Sequence, residues 1–276
     1  MTSMRSFHPA LPVVLCLPFL VSYGSSKKTQ LSNLSDGSFE RQLDVPESAA
    51  LGQGTPLMLQ AVKTYGSLPF DIGERMRFVI TYLGVKGGVA EVILRTPIAW
   101  EGGWVHRMTG EVKSAEWYAW ITRIHDSVEG LMDSGPELNP LRFYINQQEG
   151  EFRQTKIVEF SSKELKVRQR TQRKGRELHR EEFATTASTK DALGALYYFR
   201  KSVPPNDTLK SFEFPVFTSE KTWTLKAKLE GQETLKRSGQ TFETDVWRVT
   251  SHFGGLMEQK GDIKLWLTRE IGRAHV

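Results

Sequence analysis

The chain has a single cysteine, Cys16, and it lies inside an apolar N-terminal stretch that reads as a leader. Once a leader is removed no thiol remains, which excludes disulfides, thiol catalysis and cysteine-ligated metals even in an oxidising compartment. Histidine is scarce as well. One of the six is in the leader and one in the last few positions, and none has ligand spacing, so no metal site and no cofactor are expected. A large charge of one sign is also missing: the net charge of +5 is modest and acidic and basic residues are mixed along most of the chain. That is a solubility pattern and not a nucleic-acid footprint. There is no phosphate loop, no nucleophile motif and no fixed internal repeat. The one long apolar run, residues 10–21, is broken by Pro12 and Pro18 and is shorter than the roughly 20 residues of a spanning helix.

What is there begins with that run. Arg5 precedes it and the small residues Ser22, Gly24, Ser25 and Ser26 follow, the layout of a secretory signal peptide over residues 1–24. Val13-Val14-Leu15 lacks the small residues that a lipoprotein cleavage site places beside its cysteine. We therefore expect export to the periplasm and no transmembrane anchor in the mature chain. Residues 25–67, rich in Ser, Gly, Gln and Asp, read as a flexible tether, with at best a loose helix over 49–63. At the far end, Glu-Ile-Gly-Arg-Ala-His-Val at residues 270–276 is similar to the translation of a common sequencing adapter. On that reading the native sequence runs through Arg269 into strands that are absent here, and His275 is no ligand. A chain of this size buries roughly 70% of its unfolded surface, enough for one full core over residues 68–269.

Order begins at Leu68. Met76, Phe78, Ile80 and Tyr82 alternate with Arg75, Arg77, Val79 and Thr81, the period-two signature of a half-buried strand. Gly84, Gly87 and Gly88 read as a turn into a partner strand over 89–96. Trp104, His106, Met108, Gly110 and Val112 alternate with Val105, Arg107, Thr109 and Glu111. Ser114 is placed to cap one helical turn that reaches Trp120. Short strands follow over 121–132, 141–147, 152–160 and 165–173, then over 210–217, 222–229, 242–251 and 256–268. Between the two groups, Ala192, Ala195, Leu196 and Phe199 recur at helical spacing behind Asp191, and Pro204-Pro205 stops the run. A helix this short must cover a sheet or plug a barrel end. The expected class is mainly β: a curved antiparallel sheet or open β-barrel with one short covering helix.

Several stretches, in this order, carry a resemblance. They are Leu68-Pro69-Phe70-Asp71-Ile72-Gly73-Glu74-Arg75, Tyr82-Leu83-Gly84-Val85, Asp126-Ser127-Val128-Glu129-Gly130-Leu131-Met132-Asp133, Asp191-Ala192-Leu193-Gly194-Ala195-Leu196-Tyr197-Tyr198-Phe199-Arg200 and Ile263-Lys264-Leu265-Trp266-Leu267-Thr268. Together they resemble domain-of-unknown-function family 3108, secreted proteins of Gram-negative bacteria. The family usually has Ser where this chain has Gly194, and it continues past Trp266-Leu267-Thr268 with further strands. The resemblance implies a β-rich, barrel-like periplasmic domain and leaves activity open.

Candidate chemistry is thin. His125 and Asp126 face opposite sides of a strand and are not expected to pair. His106 is a lone imidazole on the Trp104 face, where a hydrogen-bonded core-edge histidine is the default. Lys163, Lys166, Arg168, Arg170, Arg173, Lys174, Arg176 and Arg180, interleaved with Glu164, Glu177, Glu181 and Glu182, read as a solvated hairpin with Lys174-Gly175 at its tip. The aromatics hold more interest. Tyr82, Trp104, Trp117, Tyr118, Trp120, Tyr197 and Tyr198 are the candidate ligand-binding residues, as inward rings that line an apolar space or guard its mouth. Trp117, Tyr118 and Trp120 share one helical turn and cannot all face one core, so at least one is expected at the surface. The leading expectation is a non-enzymatic periplasmic binding or envelope-maintenance protein holding a lipid or other amphiphile. The alternatives are a structural protein of the envelope with a protein partner, and a hydrolase acting through His125 or the acidic strand around Glu129. A void between the sheet and the 191–200 helix favours the lipid, and a filled interior counts against it.

Overall fold

The structure is a computed structural model that describes residues 70–82, 85–101, 103–119, 122–203, 209–218, 220–237, 240–251, 263–268 and 274–275. The leader, the tether, Leu68, Pro69 and Trp120 lie outside the described residues, as does the Tyr82 side chain. Strands β1 (Arg75–Tyr82), β2 (Val85–Trp100), β3 (Gly103–Ser114), β4 (His125–Asp133), β5 (Pro140–Glu149), β6 (Phe152–Ser161), β7 (Lys166–Arg173) and β8 (His179–Ala184) form one antiparallel sheet. Each pairs with the next in the chain. A second antiparallel sheet has the order β13-β12-β11-β10-β9, from β9 (Ser211–Thr218), β10 (Lys221–Arg237), β11 (Gln240–Ser251), β12 (Ile263–Thr268) and β13 (Ala274–His275). Helix α1 (Glu116–Ala119) sits in the β3–β4 connection, and α2 (Ala192–Ser202) joins the sheets.

The class is mainly β, and the larger sheet is open: β1 and β8 each pair with one neighbour. It is also curved. A flat sheet of eight strands would span roughly 34 Å, yet Met76 and Phe78 of β1 and Phe183 of β8 pack into one cluster with Leu193 and Tyr197 of a single helix. Register shifts at Ile80/Thr81, Arg95/Ile98 and Leu131/Met132 supply local bends.

Helix α2 starts where the Asp191 side chain accepts from the Gly194 N–H at 2.7 Å. Its last turn carries Arg200 and Lys201, which suit the negative end of the helix dipole. Its faces are shared: Leu193 and Tyr197 pack on the first sheet, Ala195 and Phe199 on the second. The expected covering helix is thus a filling between two sheets, buried on both sides. The space between it and the larger sheet is occupied. Leu193 and Tyr197 are 1% and 0% exposed, and a Cβ at Gly130 would stand 3.5 Å from Leu193 Cδ1.

Two of the stretches that carry the resemblance, the one ending at Arg75 and the one from Asp191 to Arg200, meet here. Arg200 donates from both terminal nitrogens to the Glu74 carboxylate at 2.6 and 2.7 Å. Its guanidinium lies 4.4 Å from the Phe70 ring centre, and Phe70 meets Tyr197 edge to face at 5.2 Å. Beside them a loop closes on itself: Asp133 accepts from the backbone N–H groups of Gly135 and Asn139 and from Asn139 Nδ2. Lys190, wholly buried, ties that loop to the start of α2, donating to Glu137 O at 2.5 Å and Asn139 Oδ1 at 3.2 Å.

Some local expectations are corrected. Gly87 and Gly88 lie within β2, and β1 turns into β2 between Tyr82 and Val85. Gly88 answers a close approach instead: a Cβ there would stand 2.6 Å from Lys113 O. Ser114 does not cap α1; its hydroxyl accepts from the Ile124 N–H at 3.1 Å. The hairpin tip at Lys174-Gly175 is found, with Gly175 at φ 70°. Its charges are paired in solvent, Lys166 and Arg168 with Glu182, and Arg170 with Glu159.

Candidate functional site

An antiparallel sheet with one face on a core ordinarily turns polar side chains outward on the other. The larger sheet departs from this. Ile93, Val105, Leu131 and Ile157 alternate with core residues and so point away from α2, yet they are only 8, 4, 2 and 1% exposed. None belongs to either core cluster. Cross-strand register sets Ile93, Thr109, Glu129, Tyr144 and Ile157 in one row over β2–β6. The next row holds Arg95, Arg107, Leu131 and Arg142, and the row on the other side begins with Glu91, Glu111 and Ser127. Between them is a trough of about 470 Å³ whose lining includes Glu91, Ile93, Arg95, Thr109, Glu129, Arg142 and Tyr144. Its floor is partly apolar, one wall cationic and the other acidic.

The acidic groups are already matched. Glu91 pairs with Arg75 at 3.3 Å, Glu129 with Arg107 at 2.7 Å, and Glu111 with Lys113 at 2.8 Å and His125 at 2.5 Å. The Lys113 ammonium, then His125, holds the Glu111 carboxyl below its ordinary value. The cationic wall is different. Arg95 donates from Nε to Thr109 Oγ1 at 2.9 Å, and the Arg142 guanidinium lies 5.8 Å from the Trp100 ring centre. Among the described residues neither is in ion-pair contact with a carboxylate, since Glu159 opposite Arg142 is held by Arg170, and Arg142 Nε is buried with no acceptor. Burial raises the Tyr144 phenol above its usual range and Glu129 adds to this, so it is a neutral donor near pH 7.

The expected alternation, with Val105, Arg107, Thr109 and Glu111 on the side opposite Met108, is found, and Met108 faces the core. Sequence reasoning missed Arg95, Arg142 and Tyr144 as site residues. The signal was local: Arg142 and Tyr144 alternate with the buried Phe143. Among the candidate aromatics whose side chains are described, Trp117 and Tyr118 meet each other and the rest lie apart. Trp117 is 48% and Tyr118 8% exposed on α1, where they meet edge to face, so one ring of that turn does reach the surface. Trp104 is half-buried on β3, Tyr197 lies in the core, and Tyr198 is packed against Phe214 with Lys190 4.4 Å from its ring centre. His125 and Asp126 do face opposite ways: His125 bonds Glu111 outside while Asp126 is buried, accepting from the Gln148 N–H at 2.8 Å. His106 breaks the default, since burial lowers its pKa and Nε2 has no partner among the described residues.

A second polar group lies on the inner face, beyond the apolar cluster. Arg173 donates to Gln154 at 2.6 Å, Gln154 to Gln147 at 2.7 Å, and Gln147 to Glu149 at 3.4 Å. This relay runs from a cation to a carboxyl that burial, then the neighbouring Asp126, pushes up to about 7. Among the described residues no three His, Asp or Glu side chains are grouped to hold a metal ion. No described helix is long and apolar enough to cross a membrane.

Fold and trough together define a mainly β protein: an open, curved antiparallel sheet and a smaller one sharing a buried helix, with a charged trough on the outer face. The chain belongs to the family described as protein of unknown function DUF3108, whose family model matches residues 77–276. That match takes in α2, every residue of the trough and both sheets except the first two residues of β1. No curated protein and no solved structure matches.

Proposed function

We propose that this is an exported, non-enzymatic binding protein of the Gram-negative cell envelope that holds an amphiphilic ligand in the outer-face trough of β2–β5. Export is supported by the leader-like residues 1–24. The single observation that carries the binding reading is the trough itself. It is about 470 Å³, within the range of small-molecule sites, and has buried apolar residues on a face that packing alone would leave polar. The interior beside α2 is filled, which counts against a lipid held beneath the helix, and the proposal is for a ligand on the outer face instead.

Native mass spectrometry of the chain after incubation with an envelope lipid extract tests this. Retained lipid in the parent, and none in a Thr109→Trp variant whose indole fills the trough, is the expected result. A folded parent that retains nothing ends the reading.

A further inference from the structure

We infer that the ligand of the trough carries an anionic head, a carboxylate or a phosphate, on an apolar chain, and that Arg95 and Arg142 take the head. The inference rests on the trough being the binding site and goes on to its charge preference. Each acidic group of the lining has its own cation: Glu91 has Arg75, Glu111 has Lys113 and Glu129 has Arg107. The lining is therefore left with Arg95 and Arg142 uncompensated. Arg142 is half-buried, and its Nε is shut off from solvent without an acceptor. A guanidinium offers a planar fork of donors that matches a carboxylate or phosphate edge. Elsewhere in the fold the enclosed arginine already has its anion, Arg200 with Glu74. Next to these two guanidiniums, Ile93 and the Tyr144 ring, both in the lining, give an alkyl chain an apolar surface, and Tyr144 offers a neutral hydroxyl. A head without a chain would leave that floor uncovered, and a chain without a charged head would leave the arginines unmatched.

Isothermal titration calorimetry of the full chain with decanoate, decyl phosphate, decan-1-ol and inorganic phosphate, all as monomers, separates these possibilities. Both anionic amphiphiles are expected to bind, decan-1-ol about 10-fold more weakly and inorganic phosphate weaker again. Arg142→Gln and Arg95→Gln should each lower decanoate affinity about 10-fold and lower decan-1-ol affinity by less than about 3-fold. Equal affinity for decanoate and decan-1-ol overturns the anionic head while the amphiphile reading stands. Inorganic phosphate bound as tightly as decyl phosphate overturns the apolar chain. Unchanged decanoate binding in both folded variants overturns the assignment to these arginines, and no binding of any probe to the folded parent overturns the proposed function as well. Circular dichroism establishes folding, and if a variant fails to fold, the four-probe comparison on the parent still decides.

Discussion

Arg200 and Arg142 both lie against aromatic rings, Arg200 on Phe70 and Arg142 near Trp100, but they stand in opposite electrostatic conditions. Arg200 is enclosed and holds Glu74 with two bonds; Arg142 is half-buried and has no carboxylate among the described residues. The first region closes on itself, joining the start of β1 to the end of α2 from opposite ends of the larger sheet. The second leaves a cation of the trough lining without a carboxylate partner among the described residues. A cation whose charge is answered inside the fold acts in stability, and one whose charge is left over is available to a ligand.

The widest separation of the two regions should come from Glu74→Gln. It leaves the Arg200 guanidinium buried without its anion, and about 3–5 kcal/mol of stability should be lost, read from urea unfolding midpoints. Leu193→Ala, in the helix face against the larger sheet, is expected to cost about 2–4 kcal/mol by the same measurement, because a filled interior cannot collapse onto the void. A near-neutral result would mean the space beneath α2 is less tightly packed than its burial indicates. Asp191→Ala removes the N-cap acceptor and should cost about 1–2 kcal/mol.

The pH response sharpens the comparison further. Glu149 titrates near 7 in the folded protein against an ordinary value of 4.5, so between those values the native state keeps a proton the unfolded chain has released. Stability therefore falls as pH rises through that window and levels off above it. Glu149→Gln should remove most of this fall, about 1 kcal/mol after allowance for solvent screening at a partly exposed group. Asp126, raised in the same direction by burial, keeps the remainder. Urea melts of parent and variant at pH 5 and pH 8 check it, and equal slopes would contradict it. The smallest effect is expected at the trough: Arg142→Gln should move stability by less than about 0.5 kcal/mol while weakening anion binding. A loss as large as that of Glu74→Gln would make Arg142 a structural residue and erase the contrast.

Much of the fold was legible beforehand. Alternation and strand character located most strands of both sheets, with β8 read only as the far arm of the charged hairpin, and Asp191 with the apolar spacing behind it located α2. Boundaries slipped where a residue had a tertiary reason for being there. Gly88 reads as a turn glycine but admits β3 at close range, and Ser114 reads as a cap but bonds Ile124 across a connection. The site was less legible. Aromatic content drew attention to Tyr197 and Tyr198, which are the filling of the core, while Arg95, Arg142 and Tyr144 looked like the polar side of ordinary strands. Nothing within one strand distinguishes a solvated arginine from one that overhangs a neighbour's leucine.

By itself the sequence determined the alternation along the strands and the capped helix, because these depend on neighbours one to four positions away. The tertiary structure alone decided that α2 is shared by two sheets, that Glu74 meets Arg200, and that Arg95 and Arg142 flank one trough. Those pairings follow from cross-strand register and sheet curvature, which bring together residues far apart in the chain.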